Sequence, residues 1–272
     1  MTDPVTPVAR LAWRPWGAVE GERVIPEEAA VAFTYNGGTH AVMMATPQDL
    51  EDFAYGFTLT EGIVASPEEI LRIDIVTEEI GIELRMWLGH PHAAALSERR
   101  RHMAGPTGCG LCGIESLAEA VRPTPRVRDG ATATPADILV ALDALALRQE
   151  LNRQARAMHA AAFWQKDSGL IAVREDVGRH NALDKLAGAL ARRHISAHTG
   201  LVLLTSRVSV EMVQKAAAIG APVLVAISAP TALAVRTAQA AGITLVAVAR
   251  QDGFEVFTHP QRIREDAVVH VA

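Results

Sequence analysis

The sequence predicts an α/β protein: a three-layer domain with a mainly parallel or mixed sheet in the C-terminal half, plus a smaller N-terminal α+β region. Two observations lead there. Short apolar runs at 201–204, 222–227 and 243–248 recur between helix-length segments, and strands that are apolar throughout, rather than alternating, are buried on both faces. Before residue 90 the pattern is different: Val31, Phe33 and Tyr35 alternate with smaller or polar residues up to Asn36-Gly37-Gly38, which is a hairpin signal.

In chain order, residues 1–25 carry scattered Pro, Gly, Trp and Arg and read as an extended arm packed by Trp13 and Trp16. Residues 26–121 form the α+β region. Its helix opens with Thr46 as cap and Pro47 at the first position, followed by Leu50, Phe53, Ala54 and Phe57 at helical spacing. Gly62 closes it, a short helix starts at Ser66-Pro67, and Ile80–Leu88 alternates as a strand. The Pro/Thr/Arg-rich stretch 122–135 reads as a linker. The domain 136–272 then begins with a long helix from Pro135 to about Gln154. It continues with a strand at Gly169–Val173, a helix to Leu190, the three apolar strands with intervening helices, and a last strand at Phe254–Thr258. In such sheets ligands sit beyond the carboxyl ends of the strands. Those ends fall at 174–180, 205–207, 228–230 and 249–253.

Composition narrows the classes. The chain has 272 residues, 49% hydrophobic, with net charge -5 and pI near 6.1. No basic stripe points to nucleic acid. No apolar stretch approaches the roughly 18 residues of a membrane span. No secretory leader is visible, and two cysteines cannot build a secreted disulfide scaffold. A cytoplasmic location is expected. Of the 26 cationic residues only Lys166, Lys185 and Lys215 are lysines.

Both cysteines lie in one loop, Gly108-Cys109-Gly110-Leu111-Cys112-Gly113. Flanking glycines leave sulfur accessible, and the nearby Arg99-Arg100-Arg101-His102 run supplies a field that favours thiolate. The residues alone leave four chemistries open. They are sulfur or thiol transfer, a metal half-site completed by His102, His159 or His180, a redox pair, and a structural role. A second cluster, Glu175-Asp176-Val177-Gly178-Arg179-His180-Asn181, reads either as a capped helix start with Asp176 as cap and solvent-facing charges, or as an acid–base site. Ser206 and Arg207, with Thr205 and Ser209, suit an anion at a helix start. His159 lies among small apolar residues, as a buried histidine or a pocket residue.

These stretches, with Tyr35-Asn36-Gly37, Met43–Leu50, Gly56–Ile63, Thr107–Gly113, Glu175–Lys185, Glu211–Lys215 and Thr258–Arg262, resemble the formate dehydrogenase accessory sulfurtransferase family from about Val31 to Ile263. The resemblance implies a sulfurtransferase that takes sulfur from a cysteine desulfurase and passes it to the molybdenum bis(molybdopterin guanine dinucleotide) cofactor, for the formate dehydrogenase apoenzyme. It makes Cys109 the persulfide carrier and Cys112 its companion. It places the cofactor on Ala249, Arg250, Gln251, Asp252, Gly253 and Phe254, with Ser206, Arg207, His180 and His159 in the same cleft. The cofactor is then a bound substrate, with no permanent cofactor and no metal. The resemblance also implies a homodimer and a fold similar to cytidine deaminases. The His-x-Glu and Pro-Cys-x-x-Cys zinc pattern of those enzymes is missing, so their chemistry is not expected. The competing reading is a zinc-stabilised cofactor-binding chaperone that moves no sulfur.

Overall fold

The computed structural model describes residues 3–89 and 124–265. The cysteine loop, the Glu98–His102 turn and the Ile114–Val121 helix lie outside them.

Residues Val5–Arg14 (β1) and Gly17–Pro26 (β2) pair antiparallel in a ribbon of their own. The expected packing by tryptophan does not occur: Trp13 and Trp16 are 78% and 79% exposed. They sit at the ribbon's tip, where the strands have no third layer to bury them.

A four-stranded sheet follows, ordered β4-β3-β6-β5, from Ala29–Tyr35 (β3), Gly38–Ala45 (β4), Ile70–Glu78 (β5) and Gly81–Leu88 (β6). Period-two alternation puts Val31, Phe33 and Tyr35 of β3 and Ile82, Leu84 and Met86 of β6 on one face. There they pack on Phe53, Ala54 and Phe57 of the helix Leu50–Thr60 (α1). Helix α1 starts at Leu50, not at Pro47. Asp49 is its N-cap residue, left-handed and without a side-chain cap bond, while Thr46 is fully buried and its hydroxyl accepts from the Val177 amide.

The larger domain is a six-stranded sheet, ordered β12-β11-β10-β9-β7-β8. Its strands are His159–Gln165 (β7), Gly169–Asp176 (β8), Leu201–Leu204 (β9), Val223–Ala226 (β10), Thr244–Arg250 (β11) and Gly253–Val256 (β12). Strands β9, β10 and β11 are parallel; β7, β8 and β12 join antiparallel, so the sheet is mixed. Strand β7 is not foreseen by the sequence reading.

Successive residues feed opposite faces. Ala161, Phe163, Val202, Leu204, Leu224 and Leu245 pack under helices Arg179–Arg192 (α4), Val210–Ala218 (α5) and Ala232–Ala241 (α6). Ala160, Ala162, Leu201, Leu203, Val223 and Val246 pack on helix Pro135–Arg148 (α2). The three layers therefore stand as expected.

The single helix expected over Pro135–Gln154 is two. It breaks at Gln149, and a short helix Glu150–Ala155 (α3) restarts there. The buried carboxylate of Glu175 accepts from the Leu151 and Asn152 amides at 2.8 Å each, capping the new N-terminus. The stretch 124–134, read as a linker, lies on the domain. Val127 is in its core and donates to the Ala241 carbonyl, and Ala133 bridges to Ile263.

The two sheets are joined through α1 and α4. A Cβ on Gly56 would meet the Asp184 backbone, and one on Gly188 the Asp52 backbone, so glycine at both positions lets the helices touch. Asp52 clamps this contact, accepting from Arg174 at 2.7 Å and Arg192 at 2.6 Å.

Candidate functional site

Strand directions decide which residues gather at one sheet edge. The parallel strands β9, β10 and β11 end at Leu204, Ala226 and Arg250, with Thr205 and Ile227-Ser228 directly following the first two. Antiparallel β7 begins at that same edge, since Ala161 pairs with Leu204 and Ala160 exchanges hydrogen bonds with Thr205. His159 pairs with Asp176 at the end of β8. So His159, Asp176, Thr205, Ser228 and Arg250 line one edge, as the rule for strand ends requires.

Two groups form along it. The first surrounds the starts of α4 and α5 and contains His159, Arg179, His180, Ser206 and Arg207. His159 is held below the usual imidazole range by burial and then by the nearby Arg179 and Arg207 charges. His180 is pushed down to about 4 by burial, with Arg179 and Lys215 adding to it. Both imidazoles are therefore neutral near pH 7. His180 Nε2 faces Glu211 Oε2 at 3.9 Å, and among the described residues neither atom has a hydrogen-bond partner; nor do Arg179 Nε and Ser209 Oγ. Ser209 is the N-cap residue of α5 but makes no side-chain cap bond. Ser206 is buried, its hydroxyl donating to the Arg207 carbonyl at 3.0 Å.

The second group is a cavity of about 470 Å³ lined by Ile227, Ala249, Arg250, Gln251 and Asp252, with Leu142, Asp143 and Ala146 of α2 opposite. Gln251 donates to Asp143 at 3.4 Å. The bulge between Ala247 and Arg250 shapes this wall. Val248 there has φ 52°, a left-handed conformation that costs a β-branched residue on the order of 1–3 kcal/mol and clusters at ligand sites. Gly253 and Phe254 begin β12 beside the cavity rather than lining it. The guanidinium groups of Arg207 and Arg250 are tied to no carboxylate among the described residues.

The structure thus brings Ala249–Asp252 together in one cavity and His159, His180, Ser206 and Arg207 in another cluster on the same edge. Cys109 and Cys112 lie outside the described residues.

The reading of Glu175–Asn181 as a capped helix start with solvent-facing charges does not hold. Asp176 is fully buried, and the N-cap of α4 is Gly178. Asp176 accepts from Lys185 Nζ at 2.6 Å, the Thr46 amide at 3.0 Å, the Gly178 amide at 2.7 Å and Asn181 Nδ2 at 2.9 Å. Thr46 completes the knot, its hydroxyl accepting from the Val177 amide at 3.1 Å and its carbonyl from Lys185 at 2.8 Å.

A second knot is built on Asp184, the residue before Lys185 in α4. Lys215 donates to Glu61 at 2.7 Å and to both oxygens of Asp184 at 2.9 and 3.0 Å, while Thr60 donates to Asp184 at 2.6 Å. Burial pushes the Asp184 carboxyl up while Lys215 pulls it back. Asp176, Arg179 and Asn181 belong to the Glu175–Asn181 cluster that the sequence offers as an acid–base site, whereas Thr46, Thr60, Glu61, Asp184, Lys185 and Lys215 of the knots, and Glu211 beside them, are absent from the sequence-derived site. A signal existed: two of only three lysines lie within apolar helix stretches.

The motifs quoted for the family resemblance therefore converge. Thr46, Thr60, Glu61, Asp176, Lys185 and Lys215 come from four separate stretches and meet between α1, α4 and α5. Comparisons with known proteins agree. The FdhD/NarQ family model matches residues 26–264. A protein named sulfur carrier protein FdhD from Agrobacterium fabrum is 56% identical over 257 residues, 94% of this chain and 95% of that one. One of the same name from Cupriavidus necator is 50% identical over 255 residues, 94% of this chain and 88% of that one. A crystal structure described as a formate dehydrogenase accessory protein from Desulfotalea psychrophila superposes with TM-score 0.77 at 26% identity, over 96% of this chain and all of that one. The chain belongs to the FdhD/NarQ family.

Proposed function

We propose that this chain is a sulfurtransferase serving formate dehydrogenase. It accepts persulfide sulfur on Cys109 from a cysteine desulfurase and delivers it to the molybdenum bis-guanine-dinucleotide cofactor, its bound substrate. The observation that carries the reading is the 56% identity, over more than nine-tenths of both chains, to a protein named as a sulfur carrier. The Cys109-Gly110-Leu111-Cys112 loop supplies the chemistry such a name requires. The Cys109 thiolate attacks the outer sulfur of the donor persulfide, the donor's S–S bond breaks, the donor leaves as thiolate, and Cys109 holds the new S–S bond. Delivery breaks the Cys109 S–S bond, returns Cys109 to thiolate and hands on the outer sulfur as a zero-valent atom. The two electrons that would make it a sulfido ligand come from the acceptor cofactor in its reduced state, with Cys112 as companion thiol.

The sheet edge supports the cargo. A guanine dinucleotide carries pyrophosphate, and Arg207 and Arg250, tied to no carboxylate among the described residues, offer two forks for phosphate oxygens. Neutral His159 and His180 accept or donate hydrogen bonds there without adding charge. The proposed setting is the cytoplasm, and no helix among the described residues is long and apolar enough to cross a membrane. The proposed assembly is a homodimer working with the desulfurase and the apoenzyme, on a fold of the cytidine deaminase class without deaminase chemistry.

Incubation with a cysteine desulfurase and cysteine tests this. The expected result is a gain of about 32 Da per sulfur, mapped to Cys109 and lost in Cys109→Ala. An unmodified wild-type chain overturns the reading. One tightly bound zinc per chain, whose removal unfolds the protein, favours the cofactor-binding chaperone instead.

A further inference from the structure

Where α4 and α5 begin side by side, Arg179 Nε, His180 Nε2, Ser209 Oγ and Glu211 Oε2 are buried without a hydrogen-bond partner among the described residues. Native proteins leave few such atoms, because each is costly to bury unpaired. Their gathering at two adjacent helix starts points to a ligand. No neighbour among the described residues relieves Glu211. His180 stands 3.9 Å away, too far for a hydrogen bond, and is neutral near pH 7. Lys215, one turn further along α5, spends its ammonium on Asp184, Glu61 and Thr60. The side chains of His180 and Glu211 keep 14% and 18% exposure. The terminal torsion of a glutamate is soft, so the Glu211 carboxylate turns toward a ligand edge at little cost.

We infer that Glu211, with Arg179, His180 and Ser209, reads the 2-amino-4-oxopyrimidine edge that guanine and pterin share. This rests on the proposed cargo, which contains both rings, and names the residues that recognise one of them. The donor and acceptor inventory selects that edge. A carboxylate oxygen only accepts, Arg Nε only donates, and a histidine nitrogen or a serine hydroxyl does either. A ligand offering acceptors alone, such as phosphate or carboxylate, leaves Glu211 unpaired and is repelled by it. A cation offers donors alone, leaves Arg179 unpaired and is repelled by Arg179 and Arg207. The pyrimidine edge is planar and uncharged, and sets an amine, a ring N–H and a carbonyl oxygen in a row. The amine and the ring N–H donate together to the Glu211 carboxylate, and the carbonyl oxygen accepts from Arg179. Ser209 and His180 serve either kind of neighbour. Arg207, two residues before Ser209, offers its fork to the phosphate that either ring carries in the cargo. A buried site built for these donors rejects a ring that lacks one of them, because its own polar groups are then left unpaired.

Isothermal titration of the full chain tests the inference with three probes: GDP, inosine diphosphate, which lacks the 2-amino group, and 6-hydroxymethylpterin. Wild type is compared with Glu211→Gln, whose amide sets a donor against the donors of the ring. The variant is expected to bind the ring that is read about 10- to 150-fold more weakly. If that ring is guanine, GDP weakens and loses its advantage over inosine diphosphate, while the pterin is unchanged. If it is pterin, the pterin weakens and GDP is unchanged. The melting temperature is expected to hold, since Glu211 Oε2 has no hydrogen-bond partner to lose among the described residues. Binding of every probe as in wild type overturns the inference, and so does a loss shared equally by GDP and inosine diphosphate. A destabilised variant with unchanged binding makes Glu211 structural and overturns it too, as does a wild type that binds neither GDP nor the pterin. Sulfur loading of Cys109, measured on the same samples, reports on the proposed function independently.

Discussion

Lys185 Nζ lies 2.6 Å from Asp176 Oδ2, and both side chains have no exposed surface. The pair joins α4 to the end of β8, and through Thr46 it ties the four-stranded sheet to the six-stranded one. Buried ion pairs of this kind repay their desolvation only when every remaining proton and lone pair is satisfied. Thr46, Gly178 and Asn181 satisfy them here.

Lys185→Met therefore strands a buried carboxylate. The expected loss is about 3–5 kcal/mol of stability, read from urea unfolding. Adding Asp176→Asn to Lys185→Met restores a large part of it, because the unpaired charge is gone. A double variant no more stable than the single one would show that the pair is not the coupled unit described.

How much of this was legible in the sequence depends on range. The three parallel strands, their helices and the strand-end location of the ligand residues follow from apolar runs and chain direction, which are local signals. Strand β7 was missed because Ala160-Ala161-Ala162 has weak strand propensity; pairing on both sides, with β8 and β9, makes it a strand. Thr46 looked like a helix cap because Thr-Pro is a local cap signal, yet its partner is Asp176, 130 residues away. The knots at Lys185 and Lys215 are tertiary and have no periodicity to reveal them. For the site, Ala249–Asp252 follows from the resemblance and Arg179 adjoins His180 in the chain, whereas the Glu211 neighbour of His180 emerges only when two helix starts are brought side by side.

His180 makes stability depend on pH with a definite sign. Its folded pKa lies at about 4, below the value of about 6.5 for an unperturbed histidine. Between those values the unfolded chain takes up a proton that the folded chain refuses, so stability falls as pH drops from about 6.5 to 4 and levels off below. The contribution is at most about 3 kcal/mol. His180→Gln should flatten this limb of the stability profile. A profile of identical slope in the variant would mean that His180 is not held neutral.

Helix packing at Gly56 admits no side chain. A Cβ there meets the Asp184 carbonyl of α4, and the helices cannot part without disturbing Thr60–Asp184–Lys215 alongside. Gly56→Ala should cost at least the upper end of ordinary overpacking, about 3 kcal/mol. Gly62→Ala is the contrast: its φ is 67°, and nothing lies within 4 Å of its Cβ, so it should lose only backbone strain of about 1 kcal/mol. Thermal melts of the two variants separate packing from backbone preference. Equal losses would mean that the α1–α4 contact is looser than the backbone distances show.

The two site groups should differ in what they read. GDP carries the guanine and pyrophosphate of the proposed cargo and serves as the probe. Arg250 borders the cavity at the end of β11, and Arg207 stands at the start of α5 among His159, Arg179 and His180. Arg250→Ala and Arg207→Ala each remove charge-assisted hydrogen bonds worth about 1.5–3 kcal/mol, which weakens GDP binding about 10- to 150-fold. Isothermal titration against GDP and against inorganic pyrophosphate resolves the roles. If Arg207 holds phosphate and the Arg250 cavity holds the base, Arg207→Ala weakens both probes equally, and Arg250→Ala weakens GDP far more than pyrophosphate. The opposite pattern would exchange the two assignments. Unchanged binding in both variants would place the nucleotide away from this edge altogether.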